Sequence, residues 1–119
     1  MDELSRCKGW IEAALDYSGG THTFEDIAAG IASGVMQLWP APDGCLVTEI
    51  VVYPRKKVLN VFLGGGNLER LTDMHDDVAA WGVMQGCSAA TINGRRGWER
   101  VYRKRGWHPL HLTLVKELT

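Results

Sequence analysis

The 119-residue sequence predicts one α/β (α+β) domain: a single mixed, largely antiparallel sheet with helices on both faces. Two observations predict it. Three short runs rich in Val, Ile and Leu follow one another in the middle of the chain, separated by turn residues, as in a β-meander. Segments of helical periodicity precede this meander and then alternate with further short strand patterns. The predicted order is ααβββαβαβ, and residues 1–119 form one domain because the length fits one.

The first two predicted elements are amphipathic helices. Apolar residues recur at helical spacing over residues 3–16, and Ser18-Gly19-Gly20 ends that pattern. Thr23 stands three residues before Asp26, which is the spacing of a capping box. We therefore expect a second helix from Thr23 to about Ile31.

The meander is predicted over three runs, 35–39, 45–53 and 58–63. Pro40-Ala41-Pro42-Asp43-Gly44 has the composition of a tight turn, so the first two runs are expected to pair as an antiparallel hairpin. Pro54-Arg55-Lys56-Lys57 supplies the second, polar turn.

The last third of the chain alternates helix and strand patterns. Gly64-Gly65-Gly66-Asn67 is predicted as a loop whose Asn67 caps a third helix ending near Gln85. A short strand over 88–92 and a basic helix over 96–105, ended by Gly106, come next. Leucines alternate with other residues over 110–115, which predicts a final strand.

Composition excludes several classes of protein. Hydrophobic residues make up 45% of the chain and charged residues 23%, as in ordinary globular domains. No apolar run approaches the roughly 18 residues that a membrane span needs, so we expect no membrane partner. Cys7, Cys45 and Cys87 are odd in number and widely spaced, which favours buried thiols in a cytoplasmic protein over disulfides or a zinc site.

Charge is distributed unevenly along the chain. Residues 1–54 hold eight acidic and two basic residues, for a net charge of −6, and residues 55–119 hold six acidic and eleven basic residues, for +5. Six of the bases lie between Arg95 and Arg105. This asymmetry indicates an anionic ligand or partner for the C-terminal half. The acidic N-terminal half argues against a dedicated nucleic-acid-binding module.

The element order resembles that of the GNAT-fold acyltransferases (Gcn5-related N-acetyltransferases). Tyr102-Arg103-Lys104-Arg105-Gly106-Trp107 is similar to that family's Y-x-K-x-G-F segment, and the unit from Val58 to Gln85 is similar to its strand, glycine-rich loop and helix. Val61 stands where the family has Arg or Gln. Gln37-Leu38-Trp39-Pro40 and Gly94–Arg100 look like segments of small GNAT-like proteins of phages and prophages.

The resemblance implies an acetyl-CoA or CoA site. Backbone N–H groups of Gly64, Gly65, Gly66 and Asn67 at the start of the third helix would hold the pyrophosphate, since helix N-termini attract anions. Arg96 and Arg100 share a face of the basic helix and are further candidates for a cofactor phosphate, although a solvated face or a protein contact explains them equally well.

Two residues are catalytic candidates, the first from the resemblance and the second from the strand pattern. Tyr102 would be the general acid that reprotonates the leaving thiolate, unless it is an ordinary packed tyrosine. Glu49 lies among apolar strand residues, where a carboxylate can acquire the raised pKa of a general base; His22, His108 and His111 are alternative bases. The acidic cluster at Asp73–Asp77 reads as a solvated helix face, so no metal is expected.

Two functions remain open at the level of sequence. The favoured one is a phage- or prophage-type GNAT-like domain without efficient catalysis, acting in virion assembly or ejection or on a host protein. The alternative is an active acyl-CoA-dependent N-acyltransferase. An enzyme needs an open notch between the third strand and the strand near Ser88; a binding protein would fill it with Phe62, Leu63 or Trp98. Five tryptophans exceed what one small core easily hides, which predicts a protein partner or a homo-oligomer.

Overall fold

The computed structural model describes residues 2–119, in which four helices surround one four-stranded sheet. The helices are α1 (Glu3–Leu15), α2 (Phe24–Ser33), α3 (Leu68–Met84) and α4 (Arg96–Arg103). The strands are β1 (Met36–Ala41), β2 (Gly44–Val52), β3 (Lys57–Gly66) and β4 (Ala89–Ile92). The predicted mixed, largely antiparallel sheet is confirmed, and its order is β1-β2-β3-β4 with only the β3–β4 pair parallel.

The helix starts follow the predicted capping chemistry. Thr23 and Asp26 form the capping box of α2, in which the Thr23 side chain accepts from the Asp26 N–H and the Asp26 carboxylate accepts from the Thr23 N–H. The side chain of Asn67 accepts from the Arg70 N–H at the start of α3. These caps satisfy N–H groups that a helix cannot pair internally, so the positions of both helices are encoded locally.

A β-bulge at Phe62 divides the sheet between two hydrophobic clusters. Val47 pairs with Leu63 while the next residue, Thr48, pairs with Val61, so β3 carries one extra residue. The bulge reverses the alternation of β3. Leu59 and Val61, before the bulge, belong to the cluster under α3, whereas Leu63, after it, belongs to the cluster of α1 and α2. Both clusters therefore share one strand.

The predicted last strand is wrong. Residues 107–119 belong to no helix or strand, and the leucines of the predicted strand are exposed to solvent. Gly106 does end the basic helix region as predicted: it has a left-handed φ of 93°, and Trp107 N–H donates to the Tyr102 carbonyl. The leucines do alternate along the sequence, but within the described residues this segment pairs with no strand.

The three cysteines are free and buried, as their spacing indicated. Within residues 2–119, no helix is long and apolar enough to cross a membrane.

Candidate functional site: the notch between β3 and β4

The parallel pair β3–β4 opens into a notch. Its register runs from Val58 with Ala89 to Val61 with Ile92, and the Asn93 N–H still donates to the Val61 carbonyl. Beyond that point β4 has ended, whereas β3 continues through Phe62 to Gly66. This is the position predicted for the notch from the sequence, since β3 runs on without β4 beside it over Phe62–Gly66.

The glycine segment beside the notch is a strand, which corrects the predicted loop. Gly64, Gly65 and Gly66 pair with Leu46, Cys45 and Gly44 of β2 in continuous antiparallel register. The segment is therefore extended strand and not a flexible phosphate-binding loop. Alternate residues of an antiparallel ladder bond to the partner strand, so β2 takes up only part of its N–H groups.

Close packing explains the first two glycines. A β-carbon built onto Gly65 would lie 2.8 Å from Cβ of Trp10 on α1, and one built onto Gly64 would lie 2.9 Å from Cη2 of Trp98 and 3.0 Å from Cδ2 of Leu46. Both positions are too tight for any side chain. The glycines let α1 and an indole lie directly on β3.

Asn67 and the start of α3 are also occupied by protein contacts. The Asn67 N–H donates to the Asp43 carbonyl (2.9 Å), and its side-chain oxygen accepts from the Arg70 N–H (3.2 Å). Arg70 Nε pairs with the Asp43 carboxylate at 3.1 Å, which ties the β1–β2 turn to α3. The N–H groups of Leu68 and Glu69, which lie outside the predicted Gly64–Asn67 site, are the ones at the start of α3 that the helix cannot pair internally.

Trp98 lies across the notch. Besides its contact with Gly64 of β3, its Cε3 would be 2.7 Å from a β-carbon built onto Gly94, which follows β4. One indole therefore touches the continuation of both strands where they part. The Arg95 guanidinium lies between this indole (5.9 Å to the ring centre) and the ring of Tyr17 (4.3 Å), which closes the approach from the α1–α2 loop.

Tyr102 is 3% exposed, and its hydroxyl lies 2.8 Å from Nε2 of His75. Burial lowers the pKa of His75 to about 4, so its imidazole is neutral at pH 7. The tautomer of the ring decides which of the two side chains donates the hydrogen bond. Burial also raises the pKa of Tyr102 above its ordinary value. Trp107 packs edge-on against both rings, at 5.3 Å from His75 and 5.5 Å from Tyr102. The predicted acid is thus held in an aromatic cluster between α3 and α4.

Glu49 lies on the opposite face of the sheet, in a polar row. It pairs in register with Asn60 of β3, which pairs with Thr91 of β4. The Thr91 hydroxyl donates to the Asn60 side-chain oxygen at 2.8 Å, which places both on one face. Because the neighbours Ile50, Leu59 and Ala90 pack toward α3, this row faces the side of α1 and α2. The three side chains are half-buried.

The basic helix has one exposed stripe. Arg103 pairs with Glu99 at 3.4 Å and Arg105 with Asp73 at 2.8 Å, so these two guanidinium groups have acidic partners within the protein. Arg96 and Arg100 are exposed, and within residues 2–119 neither forms an ion pair. The structure therefore leaves them available, but it does not bring them into contact with Gly64–Asn67.

Some residues of the site escaped prediction from sequence. His75 was grouped with its acidic neighbours, although it is 6% exposed and faces Tyr102. Its spacing of four residues from Leu71 and of three from Thr72 and Val78, on the buried face of α3, was the available signal. Asn60 and Thr91 carry no such signal in the sequence, because their pairing depends on strand register. Among the described residues, no group of three or more His, Cys, Asp or Glu side chains could hold a metal ion.

Comparison with known proteins gives structural neighbours only. No family model matches the chain, and no curated protein matches it. Glucosamine-6-phosphate N-acetyltransferase from Arabidopsis thaliana superposes with a TM-score of 0.65 at 12% identity, covering 100% of this chain and 95% of that one. A GNAT family acetyltransferase from Staphylococcus aureus gives 0.60 at 12% identity, covering 98% and 92%.

A Trypanosoma brucei acetyltransferase gives a TM-score of 0.59 at 13% identity, covering 93% of this chain and 94% of that one. Identities this low carry the fold and not the activity. The resemblance found in the element order is thereby confirmed: the chain has the GNAT acetyltransferase fold.

Proposed function

We propose that this chain is a GNAT-fold protein that acts by binding a protein partner and has no efficient acyl transfer. The observation that carries the proposal is the Trp98 indole, which contacts Gly64 on one side of the notch and Gly94 on the other. An acyl-CoA molecule lying in the notch would have to occupy the space that this indole fills.

Two further observations support the proposal. The glycine segment pairs with β2 and packs beneath Trp10 and Trp98, so it cannot close around a phosphate as a flexible loop would. Val61, at the position where the resembling family has Arg or Gln, is 1% exposed and packs in the α3-side cluster, so it supplies no donor for a phosphate. A partner among virion or host proteins, as the phage-type resemblance implies, belongs to the same proposal.

The test is a calorimetric titration of the intact protein with acetyl-CoA, with ATP as the control ligand. We expect no saturable binding at millimolar acetyl-CoA. Trp98→Ala should raise the affinity at least tenfold by emptying the notch, which corresponds to about 1.4 kcal/mol. Trp39→Ala is the matched control, because Trp39 packs against Trp81 on α3, away from the glycine segment.

Saturable binding of acetyl-CoA, but not ATP, by the unmodified protein would overturn the proposal. Equal weak binding by the Trp98 and Trp39 variants would show that the indole is not the obstruction.

The second candidate is an active acyl-CoA-dependent N-acyltransferase, and the polar row of Glu49, Asn60 and Thr91 favours it. In that function Glu49 would take a proton from the acceptor amine through water, the amine would attack the thioester, and Tyr102 would protonate the leaving thiolate. Trp98 would have to move, and Tyr102 would have to leave His75. Release of free thiol from acetyl-CoA in the presence of an amine, lost at least a hundredfold in Glu49→Gln with cofactor affinity unchanged, would establish this alternative.

A further inference from the structure

The C-terminal segment, residues 108–119, is unusually apolar for a surface. Of the large hydrophobic residues exposed within residues 2–119, five lie here, between 71% and 87% exposed. They are Leu110, Leu112, Leu114, Val115 and Leu118. Monomeric proteins rarely expose contiguous apolar patches beyond a few hundred Å², and larger ones mark an interface. So many exposed hydrophobic side chains in one segment indicate that another surface covers them.

The C-terminal segment has the pattern of a strand without a sheet. Leu110, Leu112 and Leu114 recur at a spacing of two, so a strand over 110–115 would present them all on one face. Within the described chain, no hydrogen bond joins residues 108–119 to other residues. The segment begins directly after Trp107, which is held by the rings of His75 and Tyr102.

The sheet has a matching free edge. β4 is the last strand of the order β1-β2-β3-β4, so one side of its backbone is unpaired. All four of its residues, Ala89–Ile92, are half-buried and none is charged, so β4 lacks the charged side chains that usually protect an edge. An added strand would find backbone partners there.

An apolar hollow of about 220 Å³ lies beside this edge, between α3 and β4. It exceeds the cavity of about 150 Å³ that admits a benzene molecule in a protein core. Val83, near the end of α3, lines this hollow and is 70% exposed. Its lining residues are Leu59, Ala79, Gly82, Val83, Cys87, Ser88, Ala89 and Ala90.

We propose that two copies of this chain exchange their C-terminal segments: Leu110–Val115 of each adds as a fifth strand to the β4 edge of the other, with the leucines over the hollow. Each copy carries one unpaired strand pattern and one unpaired edge, so a reciprocal, two-fold symmetric pair satisfies both at once and closes. A foreign strand would cover the edge and leave the leucines exposed. The inference is independent of whether acetyl-CoA binds.

The experiment measures the mass of the intact protein in solution by light scattering during gel filtration, over a dilution series from about 0.5 mM to about 1 µM. We expect twice the chain mass of 13.2 kDa at high concentration. Leu112→Glu changes the donated strand and Val83→Glu changes the receiving hollow; each should weaken the dimer at least tenfold. Both residues are exposed, so neither substitution removes a core contact.

Two matched controls place the same charge elsewhere. His111→Glu puts it on the opposite side of the predicted strand, and Val35→Glu puts it on an exposed valine before β1. Both should leave the dimer unchanged. A monomer at every concentration would overturn the proposal, as would a dimer that is unaffected by the Leu112 and Val83 variants or weakened by only one of them.

Discussion

The two ends of the β3–β4 pair differ sharply. At the end where the strands part, glycines receive the rings of Trp10 and Trp98, and the space between the strands is filled. At the other end, small residues such as Gly82 and Ala90 surround an open hollow of about 220 Å³. A glycine packed against an indole ring leaves no space between the elements. Small residues that face one another leave an unfilled volume.

This difference shows that the fold alone does not determine whether a cofactor can bind. The GNAT architecture provides a wedge between these two strands, but the side chains around it decide whether a ligand can enter. Trp98, on the helix after β4, fills the end where the family resemblance places a cofactor. The free volume instead lies at the β4 edge, where a strand can be added.

The largest effect is expected at the closed end. Gly66→Ala should destabilise the protein by about 4 kcal/mol, because the backbone there is left-handed and a β-carbon would overlap the backbone of Asp43 and Gly44. Urea unfolding monitored by tryptophan fluorescence measures it. Gly97→Ala is the control, since a β-carbon there meets nothing within 4 Å. Equal stability of the two variants would contradict the closed packing described here.

A smaller loss is expected on acidification, through the cluster that holds α4 over the notch. Burial lowers the pKa of His75 from 6.5 to about 4, so between these values the unfolded chain binds more protons than the folded one. The stabilising contribution of neutral His75 is therefore complete above about pH 6.5 and decreases as the pH falls, by about 3 kcal/mol at pH 4.

Urea unfolding at pH 7.0 and 4.5 tests this dependence. His75→Gln, which keeps an acceptor for Tyr102 but has no proton to gain, should flatten it. His22→Gln changes a half-buried histidine beside Phe62 and should leave it intact. If both variants retain the slope of the unmodified protein, another group is responsible.

The smallest effect is expected at the open end. A β-carbon at Gly82 would lie 3.0 Å from Cδ2 of Leu59, the end of a side chain that borders the hollow and can shift into it. Alanine also favours a helix over glycine by about 1 kcal/mol. Gly82→Ala should therefore change the free energy of unfolding by less than about 1 kcal/mol. A loss as large as that of Gly66→Ala would mean that the two ends are equally tight.

Much of the fold follows from local pattern. The capping residues Thr23 and Asn67 set the starts of two helices, and the Pro-rich turn sets the β1–β2 hairpin, because these signals depend on only a few neighbouring residues. The site is less predictable. Gly64 and Gly65 have the composition of a loop, and only their approach to Trp98 and Trp10, which are distant in sequence, shows why a strand needs them.

The predicted last strand failed for a related reason. Alternation of Leu110, Leu112 and Leu114 reports which residues a strand would bury, but it does not say whether a partner strand exists within the same chain. The roles of Tyr102 and Glu49 stay predictions. The structure gives the Tyr102 hydroxyl a buried partner in His75 and places Glu49 in register with Asn60, neither of which the sequence spacing could indicate.

The bulge at Phe62 has a consequence for how the protein comes apart. Because β3 serves the α3-side cluster before the bulge and the cluster of α1 and α2 after it, separating this strand exposes both interiors together. Neither hydrophobic cluster is then expected to unfold while the other stays buried. We therefore expect the sheet and the helices α1, α2 and α3 to unfold as one cooperative unit, in which a perturbation at the β2–β3 pair reaches both sides.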